Sequence, residues 1–213
     1  MFVDIHTHKS SNSVYPAIRN LTFVEAENLF LSNEKGLFSA GFHPWHADEF
    51  SANSFSNLEK WVNDNRFVAI GECGLDKNSQ VSLEKQILVF EKQISLSEEV
   101  QKPLIIHCVG CFNELLKLKK EHNPHQRWII HGFRGKPELA NQILNSGCSL
   151  SFGEHFNTES VFITPLDKLF IETDESSMPI NEIFNLISKI KGCNTEALYA
   201  GETLIKSFSI VSK

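Results

Sequence analysis

Asp4-Ile5-His6-Thr7-His8 closes the first apolar run of the chain, Phe2 to His6, and its two histidines are spaced to share one face of a strand. Side chains at i and i+2 project the same way, so His6 and His8 converge while Ile5 and Thr7 point away. Two neutral imidazoles on rigid backbone are a chelating pair for zinc, nickel, iron or manganese, because little entropy remains to be lost when an ion is captured. A His-x-His pair alone is also compatible with ordinary polar strand residues. The rest of the chain decides between the two.

Four further potential ligands stand at the carboxyl ends of short apolar runs. Glu72 follows Phe67 to Gly71, His107 follows Pro103 to Ile106, His131 follows Arg127 to Ile130, and Asp174 follows Lys168 to Thr173. Short continuous runs rich in Ile, Val and Phe predict strands buried on both faces, the pattern of a parallel sheet. Ligands gathered at strand C-termini are where α/β barrels and open α/β sheets place their chemistry. Adding Ala17 to Thr22, Leu37 to Phe42 and Cys148 to Phe152 brings the count to eight strands.

Helical patterns lie between them. Ser79 to Val100 predicts a helix with Leu83, Ile87, Phe90, Ile94 and Ser97 on its inner stripe. A second starts at Lys136-Pro137, buries Leu139, Ile143 and Leu144, and stops at Gly147. Eight βα units in succession predict a (β/α)₈ TIM barrel as a single compact domain over 1–213, with an open doubly wound sheet as the alternative. At 213 residues the chain lies near the lower end of the barrel range of roughly 200 to over 400. Ser10 to Ser13 and Ser51 to Ser56 read as short polar loops, and no linker or repeat interrupts the domain.

No apolar stretch approaches the ~20 residues of a membrane span, and Met1 to His6 lacks the features of a signal peptide, so a cytoplasmic protein without membrane partners is expected. The net charge of −6, without a Lys/Arg block, argues against nucleic-acid binding by phosphate neutralisation alone. Nucleic-acid chemistry would then rely on bound cations and on a few local charges such as Lys9, Arg134 and Lys136. Five cysteines, with Cys108 and Cys111 as one isolated C-x-x-C, read as small buried thiols in preference to a zinc or redox motif.

Together these elements resemble the TatD-like family of metal-dependent hydrolases in the amidohydrolase superfamily. Matching stretches are Asp4 to His8, Gly41-Phe42-His43-Pro44-Trp45, Ala69 to Asp76, the helix across Gln86 to Gln93, Pro103 to His107, His131-Gly132-Phe133 and Ile171 to Asp174. The resemblance implies two divalent metal ions (zinc, magnesium, manganese or nickel): His6, His8 and Asp174 on the first, Glu72 bridging, His107 and His131 on the second. It implies phosphodiester hydrolysis of DNA, with Asp174 and Glu72 as catalytic groups and Asp174 as proton acceptor. Hydrolysis of a small amide, ester or phosphoester on the same site, or a non-catalytic metal-binding barrel, are the alternatives. No obligate protein partner is implied.

By the same resemblance His43 stands at the pocket edge and can bind a phosphate oxygen. Trp45 can stack on a base or cap the core, and Asp76 is expected to orient the Gly74-Leu75 turn. His46, His122, His125 and His155 read as surface histidines. The chain departs from the family pattern at Gly132, usually cysteine, at Arg134-Gly135, usually serine and glycine, and at Glu175 to Met178 after the strand-end aspartate. The stretch from His8 to Gly41 is compressed. These departures bear on substrate choice more than on metal binding.

Overall fold

A computed structural model describes residues 1–9 and 14–209. The polar loop expected over Ser10 to Ser13 lies outside them. Strands and helices alternate as β1 (Asp4–Thr7), β2 (Ala17–Leu21), α1 (Phe23–Phe30), β3 (Leu37–Ala40), α2 (Ala52–Val62), β4 (Phe67–Asp76), α3 (Leu83–Val100), β5 (Leu104–Val109), α4 (Phe112–His122), β6 (Trp128–Ile130), α5 (Pro137–Asn145), β7 (Ser149–Phe152), α6 (Thr158–Ile163), β8 (Leu169–Ile171), α7 (Ile180–Lys191) and α8 (Ala200–Ser209). The eight strands form one parallel sheet in sequence order. A parallel bridge between Thr7 and Asp174 joins the end of β1 to the segment after β8. The fold is thus the (β/α)₈ barrel, and the open-sheet alternative falls.

All eight expected strands form, and β1, β4, β6, β7 and β8 are buried throughout, including the polar residues of β1, β4 and β7. Residues 20–128 make one compact unit; residues 1–19 with 129 onward make the other. Among the described residues no helix is long and apolar enough to cross a membrane.

In the unit of residues 20–128, β4 extends five residues past the expected end at Gly71, so Gly74 and Leu75 are strand, not turn. One extra residue enters β4 between Ile70, paired with Leu104, and Cys73, paired with Ile106. Such a bulge re-aims a side chain out of the normal alternation, and here it falls at Gly71-Glu72. Gly74 is required: a Cβ there would lie 2.1 Å from the His107 carbonyl oxygen, and its φ is +130°.

The expected inner stripe of α3 is shifted. Leu83 and Ile87 are only half-buried, whereas Gln86, Val89, Phe90, Gln93, Ile94, Leu96 and Ser97 face the core. The two buried glutamines saturate strand-end backbone that no ladder reaches. Gln93 Oε1 accepts from Phe42 N at 2.7 Å while its Nε2 donates to Phe42 O. Gln86 does the same for the backbone of Asp76. A polarity-based stripe misses them because buried amides are stable only when both ends are hydrogen-bonded.

Ser51 to Ser56 is not a loop but the start of α2. Ser51 and Ser54 form a reciprocal capping box, which turns serines that compete with helix interiors into helix starters. The helix expected from Lys136-Pro137 forms with Pro137 in its first turn, and Gly147 follows its end at φ +87°. It buries Ala140, Ile143 and Leu144, with Leu139 half-buried.

Arg66 ties the loop after α1 to β4. Its Nη1 donates to the carbonyls of Leu29, Ser32 and Glu34, and its Nε and Nη2 grip Asp64 at 3.1 and 2.8 Å. These bonds to Arg66 hold the Asp64 carboxyl below its ordinary value, although burial pushes it the other way. A carboxyl lowered in the folded state contributes stability above its unfolded pKa of about 4 and loses it as pH falls further. Arg66→Met should therefore lower stability by about 2 kcal/mol at neutral pH, read as a shifted urea midpoint. The difference from wild type should narrow below about pH 4.

Candidate metal centre

Each ligand position follows from a strand end. In the unit of residues 1–19 and 129 onward, β1 delivers His6, fully buried, and His8, exposed at the rim. Their rings stand 5.1 Å apart at 86°. Asp174 Oδ1 lies 3.8 Å from His6 Nε2 and 3.6 Å from His8 Nε2. Asp174 takes the left-handed conformation at φ +52°, which aspartate tolerates better than most residues.

Asp4 fixes this geometry from behind. Its Oδ1 accepts from Thr173 N at 3.0 Å and its Oδ2 from Thr173 Oγ1 at 2.6 Å, clamping the residue before Asp174 to β1. Burial pushes the Asp4 carboxyl up to about 7 against these bonds.

His131, at the end of β6, lies with its ring 4.4 Å from that of His6, and its Nδ1 is 3.4 Å from Glu172 Oε1. Glu172 is fully buried and also accepts from Gly132 N at 2.6 Å. Burial raises its carboxyl, but the bonds and charges of His131 and His6 outweigh burial and leave it below the ordinary value. Sequence reasoning passed over Glu172. The i, i+2 rule applied to His6 and His8 would have found it, since Glu172 and Asp174 have the same spacing.

In the unit of residues 20–128, the bulge presents Glu72, buried, to two imidazoles. His107 Nδ1 lies 2.9 Å and His43 Nε2 3.4 Å from Glu72 Oε1, and the two rings are 4.6 Å apart. Burial lowers the pKa of His43, although Glu72 draws it up. Asp76 ends β4 instead of orienting a turn at Gly74-Leu75; its Oδ2 takes the other side of His107, at 3.0 Å from Nε2, and accepts from Trp45 Nε1 at 2.7 Å. Trp45 keeps one ring face in solvent, at 56 % exposure.

The donor atoms fall into sets that lie within 4.8 Å of one another: His6, His8 and Asp174; His131, Glu172 and Asp174; and His43, Glu72 and His107. Neutral imidazole mixed with carboxylate oxygen suits zinc, manganese, nickel or iron. Carboxylates and histidines packed this closely on a rigid frame fit divalent cations, which would compensate the collected negative charge.

Of the remaining histidines, His46 pairs with Glu49, His122 with Glu91 and His125 with Glu98. His155 is exposed, as its surface reading expects. With Arg134, Glu154, Asp174, Glu175 and Ser176 it lines a cleft of ≈ 260 Å³ beside Asp174. Among the described residues the cysteines are free thiols; Cys73, Cys108, Cys111 and Cys148 are buried.

A barrel with histidine and carboxylate donors converging at strand C-termini is the architecture of a metal-dependent hydrolase. Residues 3–189 match the family model described as TatD related DNase, and the chain belongs to that family. An "Uncharacterized metal-dependent hydrolase" of Buchnera aphidicola subsp. Baizongia pistaciae is 30% identical over 205 residues, covering 84% of this chain and 77% of that protein. The "3'-5' ssDNA/RNA exonuclease TatD" of Erwinia amylovora is 32% identical over 147 residues, or 64% of this chain. The match spans 56% of that exonuclease's length. The crystal structure of YjjV, a TatD homolog from Escherichia coli K12, superposes with a TM-score of 0.80 at 19% identity, covering 96% of this chain and 97% of that one.

Proposed function

We propose that the chain acts as one domain over 1–213 and hydrolyses phosphodiester bonds of nucleic acid, DNA foremost, with two divalent ions. The observation that carries this reading is the placement of Asp174: it belongs to donor sets with His6 and His8 and with His131 and Glu172, and it also opens onto a cleft. The exonuclease relative supports the choice of nucleic acid. The family resemblance gives Glu72 its bridging role and assigns His107 and His131 to the second ion.

Bound divalent ions polarise a phosphoryl oxygen and make water acidic enough to attack near neutral pH. The protein's part is placement and proton transfer. His6, His8, Glu72, His107, His131 and Asp174 hold the ions, Asp4 and Asp76 hold the ligands in position, and Asp174 takes the proton of the attacking water. His43 donates to a non-bridging oxygen of the phosphate under attack, Arg134 offers its guanidinium to the substrate's phosphates, and the exposed Trp45 can stack on a base. With a net charge of −6, cations and these few donors supply the attraction that a basic surface gives elsewhere.

The test is cleavage of single-stranded DNA and of a chromogenic phosphodiester by the purified chain, abolished by chelator and restored by zinc or manganese. Restored cleavage supports the reading; a metal-loaded chain inert on both contradicts it.

Asp76 provides a separate check. A carboxylate on the far nitrogen of a metal-binding histidine fixes its tautomer and raises its basicity. Asp76→Asn is expected to weaken binding of one of the two ions by about 10- to 100-fold, while the other is held as in wild type. Competition with a metal-sensitive dye would show two unequal affinities where wild type shows closer ones.

A further inference from the structure

The chain has four arginines, and three are committed elsewhere. Arg66 is locked to Asp64 and to three carbonyls, and Arg19 and Arg127 have contacts of their own. Arg134 is exposed, and among the described residues its guanidinium makes no hydrogen bond or ion pair, although Glu154 and Glu175 line the same cleft. Glu154 is engaged by the Ser176 hydroxyl. The same cleft holds Asp174, a member of two donor sets.

Two of the residues lining the cleft are glycines, Gly132 and Gly153, where a Cβ would meet nothing closer than Glu172 at 3.7 Å, so neither position is crowded. An exposed, unengaged guanidinium in a cleft it shares with Asp174 is suited to an anion of the substrate beside the bond that breaks. Guanidinium binds phosphate through two parallel hydrogen bonds and is more weakly hydrated than ammonium, which lowers the cost of removing it from water.

We propose that Arg134 forms a second phosphate subsite, holding a phosphate of the substrate other than the one hydrolysed, so that the chain selects ligands carrying two phosphates over those carrying one. This rests on the phosphodiesterase reading for the identity of the anion. It explains why arginine stands at a position where the resemblance leads one to expect serine: a longer, charged donor reaches past the reacting phosphate.

The probes are thymidine 5′-monophosphate and thymidine 3′,5′-bisphosphate, titrated calorimetrically into the metal-loaded chain. Wild type should bind the bisphosphate tighter by about tenfold or more, the range of one charge-assisted pair of hydrogen bonds. Arg134→Gln should bring the ratio close to one, and Arg134→Lys should restore only part of it, because ammonium lacks the fork. A ratio near one in wild type, or a ratio kept in Arg134→Gln, overturns the proposal. A second arm compares kcat/KM for a dinucleotide with and without a terminal phosphate. A binding ratio held by wild type and lost in Arg134→Gln, with no turnover of either dinucleotide, would sink the phosphodiesterase reading and leave the subsite standing.

Discussion

Asp174→Asn is expected to lose about 10²- to 10⁴-fold in kcat, the range for one positioned acid–base group. The aspartate Oδ1 lies 3.6 Å from His8 Nε2 and 3.8 Å from His6 Nε2, and the residue lines the cleft it shares with Arg134. Asparagine keeps the shape and one oxygen for the metal but cannot accept the proton of the attacking water. The left-handed backbone at φ +52° suits asparagine as well as aspartate, so the fold should survive. KM should change little if the loss is confined to the proton-transfer step. Circular dichroism and metal content establish that folded, loaded protein is being assayed. Near-wild-type turnover with metals in place would assign the proton to another group, and Glu175, the exposed neighbour in the cleft, is the next to replace.

Glu72→Gln is expected to release one ion and abolish activity while leaving the barrel folded. Glu72 is 6 % exposed and hydrogen-bonds His107 at 2.9 Å. It is presented by a bulge at Gly71, where a Cβ would lie 2.5 Å from the Ile105 carbonyl oxygen. Glutamine fits that space but removes the charge that compensates the ions. Leaving a buried cationic site short of a counter-charge costs several kcal/mol, enough to lower an ion's affinity by more than about a thousandfold. Retention of both ions at wild-type affinity would remove Glu72 from the bridging role.

Most of the strands were legible because a parallel sheet covered on both faces favours apolar runs, and the runs before Glu72, His107, His131 and Asp174 each led into a candidate ligand. Their ends were less legible. The extension of β4 through Asp76 depends on Gly71 and Gly74 admitting close backbone contact, which no hydrophobic count records. The positioning residues were hidden for a different reason. Asp4, Asp76, Gln86 and Gln93 are polar residues that act by hydrogen-bonding backbone or other ligands, and burial of a polar side chain shows only when its partners are in place. Ser51 and Ser54 misled because serine marks both loops and helix caps, and only the reciprocal bond between them decides.

The claim on which the rest depends is the paired-ion centre, and metal stoichiometry tests it most directly. Chain stripped with chelator and reloaded with zinc or manganese, then freed of unbound metal and analysed for its elements, should hold two equivalents per chain. Glu72→Gln should hold one. Saturation of the wild type at one equivalent, with His107 and His131 free of metal in a crystal grown from the loaded protein, would contradict the account.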